Sequence, residues 1–189
     1  MKFTSAALLA GAVSAQGGQL APLPWLEPQD PGYQGPDQYK GPADVTCDNA
    51  PFISYHLHTV IWQNNKVMKE KTLEFREKFM KAFNVEDKDC EMNQGDPGAQ
   101  FADICPFPID WEPFGPFLTG TMAFFVPRQY LEEVAAFTRH NRADLDAVIH
   151  PNSGCEVHDH TIWPHWFGKT WQLDPSVFNC NYPGCHPTK

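Results

Sequence analysis

The chain has 189 residues and a formal charge of −9, with 42% hydrophobic residues. That length suits one domain with a core of its own. The negative balance excludes nucleic acid and anionic membrane as partners, because both call for a cationic face.

The N-terminus, MKFTSAALLAGAVSAQ, sets Lys2 before a short apolar run from Ala6 to Val13 and a small-x-small ending at Val13-Ser14-Ala15. This is the pattern of a secretory signal peptide over residues 1–15, and it is too short for a membrane span. A buried N-terminal helix is the competing reading, but nothing caps the run as a helix. A secreted, extracellular protein with no membrane segment is therefore expected. Residues 16–46 are rich in Pro, Gly and Gln and have no period, so they read as an extended arm, with Trp25 and Leu26 as its anchors. Residues 47–189 then make a single α+β domain. The six cysteines, Cys47, Cys90, Cys105, Cys155, Cys180 and Cys185, all follow the expected cleavage site. An even count in an exported chain favours up to three disulfides, with the pairing left open. A zinc site is the weaker alternative, since no CxxC pair is present. The chain has no Asn-x-Ser/Thr sequon, so N-glycosylation is not expected.

The ordered part opens at PFISYHLHTVIW. Alternation puts Ile53, Tyr55, Leu57, Thr59 and Ile61 on one strand face and Ser54, His56, His58, Val60 and Trp62 on the other. After the Asn64-Asn65 turn, Met68, Thr72, Phe75, Phe79 and Phe83 recur at helical spacing in KVMKEKTLEFREKFMKAF. A polar loop over 84–99 leads to a strand expected around 101–112, and Thr119 to Val126 reads as another. PRQYLEEVAAFTRHN is a second helix with Pro127 near its start and Leu131, Val134 and Phe137 on its apolar side. LDAVIH is a strand ending at His150. The order βαββαβ is that of the ferredoxin-like split βαβ sandwich, with both helices on one sheet face and the other open or used for a homodimer.

Strand phase carries the functional reading. The apolar set of the first strand belongs under the helices, so His56 and His58 project from the open face. In LDAVIH the packing set is Leu145, Ala147 and Ile149, which leaves His150 with Asp146 and Val148. First and last strands are neighbours in this plan, so His56, His58 and His150 should converge, with the downstream His158-Asp159-His160 folding back over them. Converging neutral imidazoles suit a first-row transition metal better than calcium or magnesium. A lone strand histidine is usually a satisfied polar residue, and three on one face are the reason for the metal reading. His140 closes a helix, where a cation is favourable, and His186 belongs to the C-terminal tail. Trp62, Trp163, Trp166 and Phe117 are either core or the lining of a pocket for a flat aromatic ligand.

The segments YHLHTVIW, NRADLDAVIHPNSG and DHTIWPHWFG resemble the DOPA 4,5-dioxygenase family of fungi and bacteria over roughly residues 52–170. The resemblance implies a ferredoxin-like fold and metal-dependent extradiol cleavage of a catechol, with an aromatic diol and O₂ as small-molecule partners. Fe(II) is the metal it implies, with Zn, Cu and Mn left open. Carried onto this chain, the ligand candidates are His56, His58, His150 and His160. His158 or His165 is the candidate acid/base, and Asp159 is a carboxylate ligand or an acceptor fixing a histidine tautomer. This chain departs from the family at Gly115-Pro116-Phe117, where the pattern reads Gly-Pro-His, and at Cys155, which replaces an acidic residue and is better explained by a disulfide. Export is unusual for pigment biosynthesis and points to an environmental catechol. The alternative is a secreted metal- or phenol-binding protein of the same fold without oxygenase activity, for which Phe117 is the motive. A copper monooxygenase with an N-terminal histidine brace fails, because the expected mature terminus is Gln16.

Overall fold

The structure, a computed structural model, describes residues 47, 52, 54–90, 103–153 and 155–178. The expected signal segment and arm, Ile53, Cys180, Cys185 and His186 lie outside the described residues. Strand β1 (Ser54–Ile61) leads into α1 (Lys66–Phe83), whose start is capped by Asn65: its side chain accepts the amide N–H of Met68 at 3.0 Å. The helix ends at Asn84, in the left-handed conformation at φ 52°. The periodic residues Thr72, Phe75 and Phe79 are its buried face.

A short β2 (Cys105–Pro106) and the long β3 (Gly120–Pro127) follow. Of the strand expected over 101–112, the described residues 103–112 form only a two-residue pairing plus a single bridge from Asp110 to Thr121. Pro106 and Pro108 have no N–H to donate, so this segment cannot sustain a ladder. A 3₁₀ turn over Arg128–Tyr130 precedes α2 (Leu131–Asn141), and β4 (Ala147–Pro151) closes the anticipated series. Two further elements, α3 (Glu156–Thr161) and β5 (His165–Phe167), did not stand out in the sequence because each is very short.

The result is a mixed α/β fold on a five-stranded antiparallel sheet of order β2-β3-β1-β4-β5. Its core packs Leu57, Ile61, Met122, Phe124, Val126, Leu145, Ala147 and Ile149 against Phe75, Phe79 and Val134 of the helices. Leu57 and Ile61 of β1, and Leu145, Ala147 and Ile149 at β4, sit on the face that alternation assigned to the helices. Disulfides join Cys47 to Cys155 and Cys90 to Cys105, so every cysteine among the described residues is paired. No helix among them is long and apolar enough to cross a membrane.

Phe79 is fully buried, and its ring stacks on Phe124 at 4.2 Å between centroids. Phe79→Ala should lower the unfolding free energy by about 3–5 kcal/mol in urea titrations, through lost transfer energy and the cavity left behind.

Candidate metal centre

β1 and β4 pair in the register that sets His56 opposite His150 and His58 opposite Val148. Residues opposite one another in a sheet share a face, so all three imidazoles leave on the side away from α1 and α2. Their ring centroids lie 5.7 Å (His56–His58), 5.3 Å (His56–His150) and 5.2 Å (His58–His150) apart. One ring nitrogen from each lies within 4.8 Å of the others, close enough to hold a metal ion. On β3, the small Ala123 is the partner of His58 and leaves room above the rings.

Hydrogen bonds fix which nitrogen is available. His150 Nδ1 lies 2.9 Å from the Pro151 carbonyl. A carbonyl only accepts, so Nδ1 carries the proton and the lone pair resides on Nε2. His160 Nδ1 makes the same bond to the Glu156 carbonyl at 2.8 Å. His58 Nδ1 is 3.1 Å from the Thr121 hydroxyl, which orients that ring. Nε2 of His58 and of His150 are buried polar atoms without a hydrogen-bond partner. Orphaned buried nitrogens are costly, and a divalent metal would satisfy them: the donor set fits one, and the Nδ1 bonds are the outer contacts that hold metal-bound histidines.

Burial keeps the cluster neutral. The His56 imidazole is pushed down to about 4 by burial. His58 is held well below the ordinary histidine range by burial, then by His56 and His160. For His150 the causes are burial, then His160, His58 and His56, partly offset by the bond to Pro151. Neutral imidazole is the form that ligates metal.

The cluster forms the floor of a cavity of about 470 Å³, within the usual size of small-molecule sites. Its roof comes from the segment PFPIDWEPFGPF, from α3 and from Phe178, with Phe107, Phe114, Phe117 and Phe178 among the lining. Phe107 meets His56 edge-on at 5.1 Å, and Phe117, only 3% exposed, lies over His58 at 4.6 Å. The departure from the family pattern at Phe117 therefore falls inside the site. Gly115, at φ 56°, makes the turn between Phe114 and Phe117.

The expected residues do not all meet here. His160 lines the cavity with its ring 4.0 Å from that of His150, beside the three-histidine set. His158 precedes it by two residues, about 200° around the helix. It faces Trp163 at 5.2 Å instead and does not line the cavity. His165 pairs with Ile149 on β5. It thus shares the helix-side face, is exposed, and cannot act as the acid/base here. Asp159 is buried, and its carboxylate accepts the Ser153 hydroxyl at 2.7 Å and the Ser153 amide at 3.1 Å. Those bonds tie the turn after β4 to α3. Of the expected aromatic lining only Phe117 is present. Trp62 is 51% exposed against Trp171, Trp163 packs on Phe52, and Trp166 lies opposite Val148 on the edge strand. Phe107, Phe114 and Phe178 were missed, although the Pro-Phe repeats of residues 106–117 are the signal that marks two of them.

A sequence profile described as the Dopa 4,5-dioxygenase family matches residues 55–177. A DOPA 4,5-dioxygenase from Amanita muscaria is 27% identical over 120 residues, covering 64% of this chain. The match covers 47% of that protein, so the chain spans about half the length of this curated relative. In fold, the chain resembles the crystal structure of a candidate dioxygenase from Nostoc punctiforme, with a TM-score of 0.51 and 20% identity over 67% of this chain and 90% of that one.

Two outcomes follow from the cluster. His150→Ala should reduce metal retained after dialysis from about one per chain to a small fraction, by elemental analysis. The pH effect has a definite sign in metal-free protein. The unfolded chain binds the His56 proton near 6.5 and the folded chain near 4, so stability is full above pH 6.5 and falls as pH drops toward 4. That histidine alone should remove about 3 kcal/mol over the window, with His58 and His150 adding in the same direction. Urea midpoints that stay flat from pH 7 to pH 4 would contradict a buried, neutral cluster.

Proposed function

The chain belongs to the Dopa 4,5-dioxygenase family, and from that premise we propose that it is a secreted, metal-dependent extradiol dioxygenase acting on catechols. The observation that carries this reading is the group His56, His58 and the buried His150, with the Nδ1–H of His150 engaged and its Nε2 unpartnered beneath a phenylalanine-lined cavity. These three side chains would hold the metal, with Fe(II) as the proposed ion. When bound, Fe(II) supplies a Lewis acid for the diol oxygens and the redox capacity that lets O₂ react with the ring.

The chain's own groups supply the remainder. His160 has its acceptor lone pair on Nε2, because Nδ1 donates to Glu156, and it lines the same cavity. It is the proposed acceptor of a catechol hydroxyl proton, taking the acid/base role first assigned to His158 or His165. Phe107 and Phe117 flank the floor, hold a flat ring by stacking and exclude water. Thr121 keeps the His58 ring in its orientation. Both atoms of O₂ enter the product as the C–C bond beside the diol opens, so no external reductant is required.

Two finer readings accompany this one. The order β2-β3-β1-β4, with α1 and α2 on one face, supports a ferredoxin-like arrangement extended by β5. Secretion is supported by the N-terminal segment and by two disulfides, which persist in oxidising compartments. The second functional reading is metal or phenol binding without oxygenation, and it rests on Phe117 lying over His58.

Anaerobic loading with Fe(II), followed by catechol and air, separates the two. The dioxygenase reading expects one O₂ consumed per catechol and a yellow ring-opened semialdehyde. Bound metal and bound catechol with no oxygen uptake would leave only the binding reading. Thr121→Val should weaken metal affinity about 10–100-fold while leaving the fold intact by circular dichroism.

A further inference from the structure

Both disulfides among the described residues end at the cover of the histidine cavity. Cys155 is the N-cap of α3, which brings Asp159 and His160 to the lining, and it joins Cys47 from the chain ahead of β1. Cys105 opens β2, directly before the roof segment that supplies Phe107, Phe114 and Phe117, and it joins Cys90 beyond the end of α1. Neither bond ends on a strand that carries the floor. His56, His58 and His150 are placed by the pairing of β1 with β3 and β4 and by the core beneath those strands.

The cover has little regular structure to hold it. α3 has six residues and β2 has two, and neither reaches the size at which it persists by itself. The bonds from Ser153 to Asp159 and from His160 to Glu156 stay within a few residues of α3, whereas Cys47 and Cys155 stand 108 residues apart in sequence. A crosslink between such distant points removes many open arrangements of the segment it fastens. Phe107 has further ties, donating its N–H to the Ala123 carbonyl and accepting from Arg76, so its half of the cover leans less on a disulfide.

We propose that the disulfides position the cover and not the floor: the three imidazoles assemble with the sheet whatever the state of the cysteines, and α3 with His160 settles over them when Cys47 and Cys155 are joined. The cysteines act here as positioning residues, and the inference rests on the reading of this cavity as a metal and catechol site. Each bond forms as two thiols give up two protons and two electrons to a disulfide-bearing exchange partner, which leaves as a dithiol. Metal binding is then independent of cysteine oxidation, while a complete substrate cavity follows it.

Cys47 and Cys155 are buried, so substitution tests them better than an added reductant. Full-length protein is compared with Cys47→Ser/Cys155→Ser and Cys90→Ser/Cys105→Ser by hydrogen exchange, by Fe(II) retained after dialysis and by anaerobic calorimetry with catechol. In the first variant, peptides from residues 155–161 should exchange at least about tenfold faster while those from β1, β3 and β4 keep their protection. Retained Fe(II) should match the parent, and the catechol Kd should rise at least about tenfold. In the second variant α3 should exchange as in the parent. Unchanged exchange of α3 in the first variant, protection lost from β1 and β4 together with α3, or Fe(II) lost where the parent keeps it would overturn the proposal. The expected exchange pattern in a protein whose parent form binds neither Fe(II) nor catechol would uphold the positioning role while removing the metal and catechol reading.

Discussion

The antiparallel register of β1 on β4 places His56 across from His150, with His58 two residues further along the same face. A sheet side chain changes face with every residue, so a slip of one position would turn His150 into the helix-side core and Ile149 into the cavity. The buried Ala147 and Ile149 of β4, packed against Leu57 of β1, oppose that slip, because the shifted register would turn them out of the core. The hydrophobic core and the candidate metal site are thus two faces of one constraint. Packing under α1 and α2 determines the phase, and the phase brings three imidazoles together.

What surrounds the cluster converts proximity into chemistry. The Pro151 carbonyl determines the His150 tautomer, and Pro151 is also the last residue of β4. Asn152 returns to Ser54 through its amide and side chain, Ser153 to Asp159, and Cys155 to Cys47. The turn after β4 is therefore pinned at successive points. Those ties deliver α3 at an angle that brings His160 beside His150. They also account for the burial of Asn152, Ser153 and Asp159 in this polar stretch, since each has a hydrogen-bond partner there.

The parts of this arrangement with strong periodicity were readable from the sequence. The apolar stripe Thr72, Phe75, Phe79 marks α1, and alternation in SYHLHTVI and LDAVIH assigns each histidine to its face. Elements too short for a period were not readable. Six-residue α3 and three-residue β5 decide that His160 enters the cavity while His158 and His165 leave it. The aromatic lining misled for a related reason. Trp62, Trp163 and Trp166 are close to histidines in sequence, but they sit at strand ends and edges. Phe107, Phe114 and Phe178 reach the cavity through irregular segments whose path only tertiary structure sets.

The imidazoles of His56, His58 and His150 are proposed to bind one metal ion together. X-ray absorption at the iron edge of the Fe(II)-loaded protein reports the ligand atoms directly. The expected result is scattering from about three imidazoles at roughly 2.0–2.2 Å with no sulfur neighbour, falling by one imidazole or losing the metal altogether in His56→Ala. A sulfur shell, or an all-oxygen shell without imidazole scattering, would contradict it.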